Sequence, residues 1–150
     1  MVVIILCLGT FLLVSCEENG KKEFPVVIPF DDYSLAGTSC QWRDFSDVDT
    51  LIIINSTEEL GNYVNCTDNY PEIDFSKHTL LLAHGLETSS LIAKCEVLQQ
   101  ISEKSYKIKV SILPTDLTVM TYWHVPIIIN KLDDDSTIDL VIIIKDPFEE

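Results

Sequence analysis

The chain has 150 residues, with 24 acidic against 10 basic side chains and a formal net charge of −14. A polyanion of this size repels phosphate backbones, so nucleic acid is excluded as an expected partner, and attraction to anionic lipid is excluded with it. The length suffices for one hydrophobic core and is too short for two ordinary domains beside an N-terminal segment. That segment comes first: residues 1–15 carry no charge, and residues 2–14 are dominated by Val, Ile, Leu and Phe. The run has the length of a secretory h-region and is too short to cross a bilayer as a helix. It ends at Leu13-Val14-Ser15-Cys16, and Glu17-Glu18-Asn19-Gly20-Lys21-Lys22 follows abruptly.

Leu13 three positions before Cys16, with Ser15 between, resembles the lipobox of bacterial lipoproteins. The resemblance implies cleavage before Cys16, loss of Cys7 with the leader, and acylation of Cys16 by palmitate-class chains. Each buried acyl CH₂ contributes about 0.8 kcal/mol, so more than one chain makes a stable anchor. The implied organisation is a signal peptide at 1–15, an acylated cysteine with a flexible tether at 16–23, and one domain at 24–150. The implied place is the cell envelope, outer membrane favoured, on either face.

Cys40, Cys66 and Cys95 remain after such processing, and an oxidising compartment allows any one of three pairings. Cys40–Cys66 ranks first, because both lie in polar, turn-rich surroundings. Cys95 alternates with Leu91, Ala93 and Val97 and reads as a buried strand residue. Closing the loop between Cys40 and Cys66 stabilises by about 3 kcal/mol on the chain-entropy argument.

Phe24 to Phe30 is apolar but bracketed by Pro25 and Pro29, as in an edge strand. Asp31 to Asp49 reads as loop with Trp42 and Phe45 tucked inward. Leu51 to Ile54 is a β-branched strand, and Ser56-Thr57-Glu58-Glu59 is a capping box that starts a helix carrying Leu60, Tyr63 and Val64 on one face. Thr79 to His84 reads as a strand ending at Gly85. Leu91 to Ile101 and Tyr106 to Leu113 flank a hairpin loop, with Tyr106, Ile108, Val110 and Ile112 on one face. Val119 to Asn130 is a long strand in which Pro126 demands a bulge or an edge. Asp133 to Ser136 turns the chain into a last strand, Ile138 to Lys145.

Most of these strands are joined by connections too short for a parallel crossover. The expected class is therefore α+β: a mainly antiparallel curved sheet of six or seven strands with one short helix packed on it. The order of strand, capped helix, Pro71-Glu72-Ile73-Asp74-Phe75-Ser76-Lys77 and a strand ending in His84-Gly85 resembles the small domain of bacterial protease-complex accessory subunits (PrcB-like). Over roughly residues 50–145 it resembles more closely the short bacterial lipoproteins of uncharacterised role that share this build. Ser89-Ser90 stands where the accessory subunits tend to carry a glycine pair. The resemblance implies a partner-binding envelope domain with no catalytic residues to carry over.

The residues support the same reading. The chain has no G-x-S-x-G, no phosphate-cradling glycine loop and no Cys/His zinc spacing. His78, His84 and His124 are not spaced as local metal ligands, and the acidic residues Asp133 to Asp135 and Asp44, Asp47 and Asp49 lack the EF-hand pattern. No catalytic residue, metal or cofactor is expected. The candidates for partner contact are Tyr122 and Pro126, since an exposed aromatic beside an interrupted strand is a natural anchor. Trp123 shares a face with Thr121, Val125 and Ile127 and reads as core. The expected function is a lipid-anchored, non-catalytic module binding another envelope protein. The alternative is a ligand-binding or hydrolytic domain with a small polar site at His84 and Glu87.

Overall fold

The computed structural model describes residues 23–44, 48–67, 69–115 and 117–146. The expected signal peptide, Cys16, the tether as far as Lys22, and Phe45, Asp47 and Asp116 lie outside the described residues. The elements in order are β1 (Val26–Ile28), β2 (Asp31–Asp32), β3 (Gln41–Trp42), β4 (Thr50–Ile54), α1 (Thr57–Gly61) and β5 (Val64–Asn65). Then follow β6 (His78–Glu87), β7 (Leu91–Gln100), β8 (Ser105–Pro114), β9 (Thr121–Asn130) and β10 (Thr137–Ile144). Among the described residues ten strands form three sheets, where one sheet of six or seven was expected. The extra strands β2, β3 and β5 are two residues each, too short to leave any alternation in the sequence.

The first sheet runs β1-β7-β8-β10, the second β2-β9-β6-β4, and β3 pairs with β5 in a separate ribbon. Strands alternate their side chains between faces, so each long strand of the second sheet feeds two layers. Leu81 and Ala83 of β6, with Trp123, Val125, Ile127 and Ile129 of β9, meet Leu98, Ile108, Val110 and Ile112 of the first sheet. Leu80 and Leu82 point the other way, to Ile54, Leu60, Val64, Ile73, Tyr33 and Leu35. Burial on both faces explains why Leu80 to Ala83 is an unbroken apolar run. The architecture is a β-sandwich with a third, thinner layer of ribbon, loop and helix on one side.

Several local expectations change in this frame. The helix stops at Gly61, and Tyr63 and Val64 lie beyond it, because Asn62 and Tyr63 donate only three residues back, to Glu59 and Leu60. Val64 instead pairs with Trp42. The cap itself forms: Ser56 Oγ accepts from the Glu59 N–H at 3.1 Å, while Glu59 reaches the Asn55 N–H at 2.6 Å, one residue before the expected target. β6 does not end at Gly85 but continues to Glu87. Gly85 lies directly opposite Trp123, and a Cβ there would approach the indole to 2.8 Å, so the missing side chain makes room for the ring. A bulge between Cys95 and Val97 changes the phase of β7. Cys95 therefore packs toward the core with Leu91 and Ala93 but is only partly buried where a buried residue was expected, and Leu98 replaces Val97 there.

One strand pair is parallel. β8 and β10 run side by side from Thr137 opposite Ser105 to Ile144 opposite Ile112. The crossover between them is β9, which sits in the other sheet, so short connections did not exclude a parallel neighbour. Every other pairing is antiparallel, so the coarse expectation holds.

Candidate functional site

β6 and β9 pair in a register that sets His84 directly opposite His124, forty positions along the chain. Both side chains project to the outer face of the second sheet. Their rings stack with centroids 5.9 Å apart and planes 17° from parallel. Trp42 stacks on His124 at 6.0 Å, and Tyr33 meets Trp42 edge-on at 6.1 Å. The four rings make a continuous chain of contacts from His84 on the sheet to Tyr33, itself buried in the outer layer.

The outer layer holds Trp42 in place. The Arg43 N–H donates to Tyr63 O at 2.9 Å, Arg43 Nε donates to Val64 O at 3.1 Å, and His124 Nε2 lies 3.3 Å from Arg43 O. The Cys40–Cys66 disulfide, the pairing ranked first from sequence, ties the loop before β3 to the chain after β5. Tyr33 donates its hydroxyl to Pro71 O at 2.8 Å, and burial, with Tyr70 beside it, pushes its phenol up to about 12.

Electrostatics keep the histidines neutral. His84 is fully buried, and that burial, reinforced by His124 and opposed by Asp44, brings its pKa down to about 4. His124 is also lowered, mainly by burial, against the pull of the Arg43 carbonyl and Asp44. Two neutral imidazoles in this arrangement stack face to face, and the inner one is closed to solvent. Among the described residues no group of three His, Cys, Asp or Glu side chains is placed to hold a metal ion.

The sequence candidates are distributed as follows. His84 and Glu87 are three positions apart on one strand, so their side chains leave opposite faces and the structure does not bring them together. His78 Nδ1 lies 3.2 Å from Asp74 O at the start of β6. Asp133, Asp134 and Asp135 form an exposed turn in which Asp135 pairs with Lys104. Trp123 is core, and Tyr122 on the opposite face is 36% exposed. Pro126 is half-buried inside β9, with Leu82 opposite on one side. On its other side its carbonyl accepts from the Tyr33 N–H at 3.1 Å, where the two-residue β2 has just ended. Contrary to expectation, β9 is therefore neither an edge strand nor bulged at Pro126; the proline is accommodated inside the sheet because the β2 ladder has ended where its missing N–H points.

Tyr122 and His124 border a shallow depression of about 580 Å³, closed on its far side by Leu35 to Thr38 and by Trp42 and Asp44. Beyond Tyr122 the chain is apolar and uncovered: Leu117 is 67% exposed, Val119 50% and Met120 68%. Sequence reading assigned Val119 to a strand, but β9 begins only at Thr121. The Ser90 N–H donates to Leu117 O and the Thr115 N–H to Ser90 O, so this loop is fixed to the β6–β7 turn. Exposed Ile92, at the start of β7, and Val48, just before β4, belong to the same end of the sandwich.

The chain enters at the opposite end. Val26 pairs with Gln100, next to the hairpin at Ile101 to Lys104, so Glu23 to Pro25 lie at the pole far from Met120. Sequence reasoning missed both the histidine pair and the apolar tip. The first needs the β6–β9 register, which no local pattern carries. The second had a signal in Leu117-Thr118-Val119-Met120 after Pro114-Thr115, apolar residues in a turn that offers no strand partner.

No protein-family model, curated protein or solved structure matches this chain.

Proposed function

We propose that the protein is a lipid-anchored envelope lipoprotein whose body is a non-catalytic module that captures another envelope protein through the apolar tip formed by Leu117, Val119, Met120 and Tyr122. The observation that carries this reading is the concentration of exposed Leu, Val and Met side chains at one pole. Isolated exposed apolar residues are ordinary, but contiguous ones mark contact surfaces. Tyr122 at its edge supplies an aromatic anchor beside a depression, the usual centre of a protein interface. The resemblance to protease-complex accessory subunits points the same way.

The polarity of the body supports the arrangement. Acylated Cys16 would hold the pole at Glu23, and seven extended residues reach about 25 Å. Ten-residue strands separate the two poles by about 33 Å. The tip therefore faces away from the anchoring membrane and toward a protein partner. Among the described residues no helix is long and apolar enough to cross a membrane.

The test is a photo-crosslinking residue placed at Met120 in intact cells, with Lys104 at the opposite pole as control. A discrete adduct at position 120, lost in Tyr122→Ala, is the expected result. Equal labelling from both positions, or no adduct at either, refutes the assignment. Mass spectrometry of the N-terminal peptide tests the anchor separately: acylated Cys16 is expected, and an intact leader would remove the membrane from the scheme.

A further inference from the structure

The flank of the sandwich formed by β10 is unfinished. β10 ends the first sheet, with β8 on one side and no strand on the other among the described residues. The Lys145 N–H donates to Ile112 O and the Thr137 N–H to Lys104 O, so odd-numbered residues direct their backbone groups inward to β8. By the alternation along a strand, Ile138, Leu140, Ile142 and Ile144 present theirs outward. These outward groups are carried by an apolar stretch, Leu140 to Ile144, with no proline and no charge to blunt it. Natural edges are normally protected by such devices. The packing is open here too. Ile138, Leu140 and Ile142 face the core yet stay only partly buried, while Ile108, Val110 and Ile112 on adjacent β8 are fully buried.

We infer that β10 pairs antiparallel with β10 of a second copy of this chain, about a two-fold axis at Val141. In that register Ile138 meets Ile144 of the second copy and Leu140 meets its Ile142, each twice. All eight outward N–H and C=O groups are then bonded, and the partly buried Ile138, Leu140 and Ile142 gain cover. The contact is isologous and closes at two copies.

Charge selects this occupant and this direction. Asp139 and Lys145 lie near opposite ends of the strand on its outer face. Antiparallel self-pairing brings each Asp139 diagonal to Lys145 of the second copy, within reach of a long side chain. Parallel self-pairing would put Asp139 beside Asp139. Lys145 is already held over this face by Glu96, 2.6 Å from its Nζ, whose carboxyl the lysine keeps down at about 2. Each chain carries −14, so long-range repulsion opposes the contact and is screened beyond about 8 Å at physiological ionic strength. Dimerisation should accordingly tighten as salt is raised.

The experiment uses the full chain, with mild oxidation of Val141→Cys and Thr137→Cys compared side by side. Across the proposed axis the two copies of position 141 face each other, whereas those of position 137 lie about 26 Å apart along the strand. Covalent dimer from Val141→Cys at ten or more times the rate of Thr137→Cys supports the pairing. Light scattering of the unaltered chain should give twice the monomer mass. Ile142→Pro removes an outward N–H while leaving the bonds to β8, and should weaken the dimer at least tenfold. A monomeric unaltered chain at tens of micromolar, equal crosslinking at both positions, or a folded and fully dimeric Ile142→Pro each overturns the inference. If Ile142→Pro fails to fold, the cysteine pair decides alone.

Discussion

The two hydrophobic layers on either side of the second sheet are built by different means. The sandwich interior is made by five strands of eight to ten residues, whose alternating Ile, Leu and Val interlock without help. The outer layer has only two-residue strands, a five-residue helix and loop, and a helix of that length does not persist unaided. It is retained by a disulfide, a run of stacked and edge-on ring contacts and single hydrogen bonds such as Tyr33 to Pro71. Where secondary structure is too short to lend cooperativity, covalent and aromatic contacts carry the layer. The two should therefore fail in different ways.

The sharpest way to expose that difference is to empty each layer in turn. Ile127→Ala, fully buried in the sandwich, should cost about 3–4 kcal/mol and lower the midpoint of one global transition in chemical denaturation. Replacing both Cys40 and Cys66 by Ser should cost about 3 kcal/mol on the chain-entropy argument. Its signature should be local: amide exchange should accelerate first across Tyr33 to Trp42 and Val64 to Asn65, while β7 and β8 stay protected. Uniform acceleration would mean that the layers are one cooperative unit.

Acid gives the next effect. In the unfolded chain His84 titrates near 6.5, and in the fold near 4, so the unfolded state takes up the proton between those values. The stabilisation is complete above pH 6.5 and is lost as pH falls, by about 2 kcal/mol at pH 5. His84→Leu should flatten this part of the stability profile, and an unchanged profile would show that burial of His84 is not what acid opposes. The smallest effect belongs to the helix: Ser56→Ala should cost about 1 kcal/mol by removing the acceptor for the Glu59 N–H, measured as a shift in thermal midpoint.

Much of the inner layer could be read in advance, and most of the outer layer could not. Ile108, Val110 and Ile112 declare a buried face by strict alternation, and Ser56 to Glu59 declare a helix start by side-chain chemistry alone. Cys40 and Cys66 were separable from Cys95 by the polarity of their neighbours. What escaped depends on register between distant segments. His84 and His124 look unrelated until β6 and β9 are aligned, Gly85 looks like a stop until Trp123 is placed over it, and β10 looks antiparallel until β9 is sent to the other sheet. The candidate site is made almost wholly of such relations.

Pro126 shows how one absent hydrogen can route a chain. Its carbonyl accepts from the Tyr33 N–H, but the ring nitrogen has nothing to return to the Tyr33 carbonyl, so the β2–β9 ladder closes at Asp32. Released there, the backbone is free to climb over the sheet and deliver Tyr33, Cys40 and Trp42 to its far side. Pro126→Val would restore that donor and invite β2 to lengthen. The imidazoles beneath would then be uncovered by zipping up an edge rather than by melting a layer, and indole fluorescence from Trp42 would report the change.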